Sequence, residues 1–246
     1  MNVKEAFEAR RSIRYFSDQQ VPEETLRDIV KDAQWAPSWA NAQPWKVYIA
    51  TGETAAAIRS GHKQLALTGN RGRADMETGH RTDWGMNAAV NMQNWSNDLQ
   101  RYLGYSDVAQ FSMAQAELFD APALVYITMH KNSPLWSIYD MGAFGQSLML
   151  SAKEHGVDSM PAYEVVKFPQ EARKALGIPD DETLVMGFGI GYADDRKING
   201  FRSDRVPVDE ILTIKSKYSS LKSARSFDRA FCCLSGAIQP FSEKTL

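Results

Sequence analysis

The sequence has few of the residues that build disulfide frameworks or metal sites. Its 246 residues include two adjacent cysteines, Cys232 and Cys233, and four scattered histidines. Adjacent cysteines do not form a disulfide framework, and no histidine stands at metal-ligand spacing, so no metal site is expected. The chain also lacks a run of about 18 apolar residues, so no membrane-spanning helix is expected. Its polar N-terminus lacks the pattern of a signal peptide, and we expect a cytoplasmic location.

A strong excess of one charge is missing as well. The 28 Lys and Arg residues nearly balance 30 Asp and Glu residues, which gives no reason to expect a nucleic-acid partner or an anionic membrane. No Gly-x-Ser-x-Gly elbow and no P-loop is present, so the usual hydrolase and kinase motifs are absent. The glycines at 187, 189 and 191 do not form a dinucleotide fingerprint, because the third is misplaced and no helix is expected to follow.

Basic residues are instead concentrated at one point near the start of the chain. Three arginines, Arg10, Arg11 and Arg14, lie within five residues of each other, and Ser12 stands among them. Guanidinium groups are shaped for bidentate contact with phosphate oxygens, which favours an anion site. The same stretch could be a solvated, basic end of a helix. These residues alone do not decide between the two interpretations.

Hydrophobic periodicity predicts alternating helices and strands. Asn2 and Glu5 are spaced for a capping box, and Pro22 followed by two acids marks the start of a second helix, which must end before Pro37. Apolar, β-branched runs predict strands, and Gly156 and Gly177 stand where helices should stop. The expected helices cover about 2–10, 22–36, 53–67, 138–155 and 169–176, and the expected strands cover 46–50, 123–129 and 183–192.

Two regions do not fit this pattern. Residues 68–110 are too long for a plain loop in a compact domain. We interpret them as a partly helical insert that covers something, although a surface excursion with aromatics packed beneath it is an equal alternative. Residues 215–246 carry six Lys and Arg against two Asp and Glu, and seven Ser. This composition predicts an extended arm or a disordered tail.

Five stretches, in order, resemble the nitroreductase family of FMN-dependent oxidoreductases. The first reads RRSIRYF, like the family's RRSxRxF, and the second is similar to its APSxxNxQPW. The others resemble its central helix, the segments that follow it and its closing RxxRxPxDE-type segment. The resemblance covers about residues 3–214, through the stretches 10–16, 36–45, 140–156, 176–194 and 201–210.

The resemblance implies an α+β fold. It would be an α/β/α sandwich around a mostly antiparallel sheet, in an intertwined homodimer with FMN at the interface. Residues 1–214 would form a single FMN domain, with 68–110 as an insert or lid over the active site. Residues 215–246 would be a C-terminal arm or disordered tail.

The resemblance also implies the roles of individual residues, with the redox chemistry carried by FMN rather than by a catalytic side chain. The phosphate and ribityl chain would be held by Arg10, Arg11, Ser12, Arg14 and Arg205. A loop that in this family comes from the other subunit would contact the ring through Pro37, Ser38, Trp39, Asn41 and Gln43. The ring edge would lie along Pro161, Ala162 and Tyr163, near Gly187 and Gly189. The substrate cavity would include Trp39 and Glu164.

Several of these residues have simpler explanations. Asn41 could be a turn former, Gln43 could satisfy backbone groups of its loop, and Arg205 could be a surface cation. Glu164 could be a plain solvated carboxylate. Trp39 could be an interface anchor.

The expected activity is ping-pong transfer of electrons from NAD(P)H to a nitroaromatic, a quinone or a similar small electron-poor acceptor. The same scaffold could carry out reductive dehalogenation, enone reduction or oxidation of a substrate. A third possibility is a non-enzymatic flavin-binding or interaction protein.

Overall fold

The computed structural model describes residues 1–104 and 108–216, and the chain divides into two compact units. The first unit is Met1–Asp204, which contains every helix and strand described below. The second is Arg205–Leu246, of which residues 205–216 are described and contain a short 3-10 turn, Val208–Glu210. The expected tail, 215–246, lies almost entirely outside the described residues.

The N-terminal helices begin at the capping signals that the sequence contains. Helix α1, Val3–Ala9, has a complete capping box. The side chain of Asn2 accepts a hydrogen bond from the Glu5 N–H at 3.0 Å, and the Glu5 carboxylate accepts one from the Asn2 N–H at 2.9 Å. Helix α2, Glu23–Ala33, follows Pro22 and has acids in its first turn, as expected.

A four-stranded sheet forms the centre of the first unit. Its strands are β1 (Lys46–Thr51), β2 (Ala123–His130), β3 (Asp158–Pro161) and β4 (Glu182–Gly191). Their spatial order is β1-β2-β4-β3, and each neighbouring pair is antiparallel. The antiparallel sheet is therefore confirmed. Strand β3 was not predicted, because four residues are too few to show an alternating pattern.

Six further helices complete this unit. None of the described helices is long and apolar enough to span a membrane. The last helix ends as expected, because Gly177 takes the left-handed conformation (φ 66°) that glycine adopts without strain. The helices are α3 (Gly52–Leu67), α4 (Met86–Leu103), α5 (Val108–Ala116), α6 (Ser137–Glu154), α7 (Tyr163–Val166) and α8 (Pro169–Leu176).

Helices cover both faces of the sheet, so its strands contribute to two hydrophobic cores. On β2, Leu124 and Tyr126 pack in one core with residues of α3, α4 and α8. Val125 and Ile127 point the other way, into a core shared with α2 and α6. Alternation of side chains across a strand produces this division. The α/β/α sandwich is confirmed.

In its described residues, 68–104 and 108–110, the predicted insert is largely helical and packs on the first core. Leu99 and Leu103 of α4 are buried in it, and Trp95 and Phe111 pack against it. Its beginning is tied to the sheet by Asp75, whose carboxylate accepts hydrogen bonds from Arg173 at 2.6 Å and from a β4 backbone N–H at 2.8 Å. The segment is thus anchored at both ends. A role as a lid over the active site stays a prediction.

Candidate functional site

The basic stretch from Arg10 to Arg14 runs along the edge strand β3. Ser12 pairs with Ser159 in a parallel bridge, and the Ile13 N–H donates to the Ser159 carbonyl at 3.1 Å. Because Ser159 precedes Pro161 by two residues, the bridge places the basic stretch next to the end of β3. Two of the motifs from the sequence are therefore brought together.

Arg14 points into the protein and is only 6% exposed. One of its terminal nitrogens, NH1, donates to the Ser12 carbonyl at 3.1 Å, and its backbone N–H donates to the side chain of Asn199 at 2.7 Å. Burial lowers the pKa of Arg14 to about 10. Its buried Nε has no hydrogen-bond acceptor among the described residues. The alternative of a solvated helix end is therefore wrong for Arg14.

Arg11, in the same stretch, is partly buried. It lines a polar cleft of about 310 Å³ together with Lys153, Asp158 and Arg196. Burial lowers the pKa of Arg11, repulsion from Arg202 adds to this effect, and Asp158 opposes it. The Nε of Arg11 is also buried without an acceptor in the described part of the chain. Two Nε donors of this stretch thus have no acceptor in the part of the chain that the structure describes, which fits an anion-binding site.

The end of β3 leads directly into the short helix α7. The Ala162 N–H donates to the Gly187 carbonyl at 3.1 Å, which fixes this turn against β4. Tyr163, the first residue of α7, is 37% exposed. The turn from Pro161 to Tyr163 therefore directly follows the strand that pairs with Ser12, and its contact with a flavin ring stays a prediction.

Glu164 on α7 lies in a partly buried ion-pair cluster. Its carboxylate is 3.1 Å from Lys167 Nζ and 3.5 Å from the Nε2 of the buried His62. Burial would raise the pKa of Glu164, but His62 and Lys167 outweigh it and the pKa is lowered. The alternative of a plain solvated carboxylate is therefore wrong. Its place in a substrate cavity stays a prediction.

The glycines of β4 make room for the protein's own side chains. A Cβ at Gly187 would collide with Val165 of α7, and one at Gly189 would come within 3.2 Å of Phe16. These two glycines thus let α7 and the segment after Arg14 pack closely on the sheet. Any contact of Gly187 or Gly189 with a cofactor stays a prediction.

The loop around Trp39 forms a second group, held on helix α6. The Trp39 N–H donates to the buried carboxylate of Asp140 at 3.2 Å, and its ring packs edge-on against Trp136 with a centroid distance of 5.8 Å. Trp39 is nevertheless 67% exposed. Its ring is thus available on the surface for either a ligand or a partner chain.

The same loop is unusual in its backbone. Ala40, Asn41 and Gln43 have positive φ angles of 45°, 61° and 46°. Strain of this kind in residues other than glycine is concentrated at functional sites. The Ser38 hydroxyl accepts a hydrogen bond from the Gln43 N–H at 3.0 Å, which supports the turn. Contacts of these residues, and of Pro37, with a cofactor stay predictions, as does the role of Arg205 in the second unit.

The surroundings of Arg14 were not predicted from the sequence. Trp95, Phe111 and Phe201 place their rings within 5.9 Å of its guanidinium carbon. Asn199 accepts from the backbone N–H groups of Arg14 and Tyr15. The signal in the sequence was the aromatic content of a region that otherwise lacked a pattern.

Comparisons with known proteins identify the class that this fold and site define. The model of the nitroreductase family matches residues 7–192. The chain is 31% identical over 221 residues to a 4-nitrobenzoate reductase of Nocardioides sp. (strain LMS-CY), covering 85% of this chain and 90% of the relative. It is 28% identical over 188 residues to an iodotyrosine deiodinase of Thermotoga neapolitana, covering 76% and 87%.

Solved structures are similar over most of the chain. The FMN- and NADPH-dependent nitroreductase NfnB of Sphigopyxis sp. strain HMH has a TM-score of 0.79 at 28% identity, covering 88% of this chain and all of the other. NfnB of Mycobacterium smegmatis in complex with NADPH has a TM-score of 0.79 at 26% identity, covering 86% and 97%. This chain belongs to the nitroreductase family.

Proposed function

We propose that this protein is an FMN-dependent oxidoreductase that transfers electrons from NAD(P)H to nitroaromatic or similar electron-poor acceptors. The observation that carries the proposal is the pair of buried Nε donors on Arg11 and Arg14, on either side of Ser12, which have no acceptor among the described residues. The family membership and the 4-nitrobenzoate reductase relative support the acceptor class.

The residues along β3 fit the phosphate-bearing half of FMN. Arg10, Arg11, Ser12 and Arg14 would bind the phosphate and ribityl chain, because guanidinium groups supply paired donors for phosphate oxygens. Arg205 would add a further cation. A buried cation also favours an anion over water at this point, since an unpaired buried charge is costly.

The turn after β3 would orient the ring system. Pro161, Ala162 and Tyr163 would lie along its edge, where a backbone N–H can donate to a ring nitrogen. The loop from Pro37 to Gln43 would approach from the other subunit of a dimer. Bound FMN supplies the redox chemistry, and the protein holds the ring in place while leaving one face open to donor and acceptor in turn.

The dimer itself is part of the proposal. Large apolar side chains are exposed on the single chain, including Phe7 on α1 at 54%, Trp136 at 61% and Tyr139 at 72%. Exposed apolar side chains in such number favour burial against a second copy. The cytoplasmic location expected from the sequence stays a prediction.

The visible spectrum of the purified full chain tests the proposal. We expect the absorbance of an oxidised flavin, bleached under anaerobic conditions by NADH or NADPH and restored by a nitroaromatic acceptor. A colourless protein that gains no flavin absorbance on incubation with FMN contradicts the proposal. Flavin that stays oxidised with both reductants would instead support a non-enzymatic flavin-binding protein.

A second candidate is reductive dehalogenation. The similarity to an iodotyrosine deiodinase, at 28% identity over most of both chains, favours it. Turnover with a nitrobenzoate and with a halogenated tyrosine, at matched concentrations, separates the two activities. We expect the nitro compound to be the better acceptor.

A further inference from the structure

Contacts join the insert to the region around the stretch that would bind the cofactor phosphate. The insert is taken here as residues 68–110 together with the remainder of α5. The hydroxyl of Tyr15 donates to the Gln110 carbonyl at 3.2 Å. Lys197 Nζ donates to the Leu103 carbonyl at 3.1 Å. The ring of Tyr102 on α4 packs against Phe201 at a centroid distance of 5.7 Å. These contacts tie both helices of the insert to segments that flank Arg14.

The guanidinium of Arg14 is the centre of this junction. Three rings, which we call the aromatic cage, surround it: Trp95 of α4, Phe111 of α5 and Phe201, at 5.9, 5.9 and 5.7 Å from the guanidinium carbon. Trp95 and Phe111 also pack edge to face at 6.0 Å, so the walls of the cage support each other. Cation–π attraction is strongest for a desolvated cation, and Arg14 is 6% exposed.

Because the aromatic cage holds the guanidinium of Arg14, it also restrains the phosphate-binding stretch. Its NH1 donates to the Ser12 carbonyl at 3.1 Å, and Ser12 is the residue that pairs with β3. A guanidinium held by the cage therefore restrains the backbone at Ser12, in the middle of the stretch, before any ligand arrives. Preorganisation of this kind reduces the entropy that ligand binding must overcome.

We propose that Trp95 and Phe111 are positioning residues for the cofactor, which hold Arg14 and through it order the phosphate-binding stretch. The insert thereby sets the affinity for FMN, in addition to any role in substrate access. The inference rests on the proposed function, because it assumes that the stretch from Arg10 to Arg14 meets the cofactor phosphate. It assigns a function to aromatic residues that lie outside the motifs of the family.

Flavin affinity in two variants of one position tests the inference. Trp95→Leu removes the ring and keeps an apolar side chain, whereas Trp95→Phe keeps a ring face for the cation. Dissociation constants for FMN and for riboflavin, which lacks the phosphate, are measured by fluorescence on apoprotein prepared from the full-length holoenzyme. We expect Trp95→Leu to weaken FMN binding about tenfold and riboflavin binding much less, and Trp95→Phe to restore most of the preference.

A control variant, a substitute variant and a double variant complete the test. Trp84, also in the insert, is 60% exposed, and Trp84→Leu should leave the ratio of the two affinities unchanged. Phe111→Leu should reduce the ratio as Trp95→Leu does, and serves in its place if that variant does not fold. In an Arg14→Met background, Trp95→Leu should have little additional effect, because both changes remove the same interaction.

The outcomes separate the inference from the proposed function. Equal losses of FMN and riboflavin affinity in Trp95→Leu, or additive effects of the changes at 14 and 95, overturn the inference while the proposed function stands. A change only in the KM for the acceptor would make the insert a lid and also overturns it. A wild-type protein that binds neither flavin contradicts the proposed function itself.

Discussion

Glu182 is a buried carboxylate that joins three strands. It lies at the start of β4 and is 2% exposed. Lys46 and Tyr48 of β1 donate to it at 2.5 and 3.0 Å, and Thr128 of β2 donates at 2.6 Å. Burial alone would raise the pKa of Glu182, but these hydrogen bonds outweigh it and the pKa is lowered. The charged form therefore stabilises the sheet.

The sign of this shift predicts a pH dependence of stability. A carboxyl with a lowered folded pKa contributes stability above its unfolded pKa of 4.5, and the contribution is lost as the pH falls through the folded value. Glu182→Gln should lower the free energy of unfolding by about 2 kcal/mol at neutral pH. The difference from wild type should shrink below pH 4.5. Urea unfolding at a series of pH values measures it.

A surface carboxylate provides the control for this measurement. Glu8 is 67% exposed, so Glu8→Gln should leave the unfolding midpoint nearly unchanged at neutral pH. If Glu182→Gln is equally harmless at neutral pH, the hydrogen bonds around Glu182 do not stabilise the sheet.

Strand β4 and helix α7 pack closely because Gly187 has no side chain. A Cβ at Gly187 would collide with both Val165 and Val166 of α7. At Gly189 the added Cβ would meet Ala121 at 3.0 Å and Phe16 at 3.2 Å, so smaller shifts would suffice. The position of α7, and with it the turn from Pro161 to Tyr163, is therefore set by Gly187.

Replacing Gly187 with alanine should destabilise the protein more than replacing Gly189 with alanine. Overpacking in a well-packed core costs about 1–3 kcal/mol, and we expect Gly187→Ala to lie at the upper end and Gly189→Ala at the lower end. Denaturant unfolding measures both. Gly187→Ala should also lower the amount of flavin that copurifies, because the displaced turn would border the ring. A larger loss of stability in Gly189→Ala would contradict this account of the packing.

The exposed side chains of α1 and α6 give the homodimer a direct test. Val3 and Phe7 lie one turn apart on α1 and are 71% and 54% exposed. We expect light scattering to give about twice the chain mass of 27.6 kDa. Phe7→Glu should shift the mass toward that of one chain without changing the circular dichroism spectrum, because a charge would be buried in the interface.

Lys4→Gln on the same helix is the matched control. It changes the net charge by the same amount as Phe7→Glu and leaves the apolar side chains intact, since Lys4 lies beside them and faces Glu8. The control should remain dimeric. A wild-type mass near 27.6 kDa would refute the homodimer.

Features of this molecule that depend on residues close together in the chain were predicted from the sequence. The capping box of Asn2 and Glu5, the stop at Gly177 and the buried strand β2 each depend on contacts or burial patterns within a few residues. Periodicity records which face of an element is apolar, and capping residues record where it ends. The family motifs added the order of the segments and the nature of the cofactor.

The remaining features depend on contacts between distant residues. Arg14 meets Asn199 across 185 positions of the chain, and its cage comes from two helices and a separate turn. The sequence around Arg14 is typical of a basic, solvated stretch. The side chain of Arg14 becomes buried among three rings only because these elements pack together in the tertiary structure. The sequence indicated that the glycines of β4 leave one face of the strand without side chains. It did not indicate that α7 packs against that face. The local sequence encodes which secondary structure a segment favours and which of its faces is buried. Which other segment covers that face depends on how all the elements pack together in the tertiary structure.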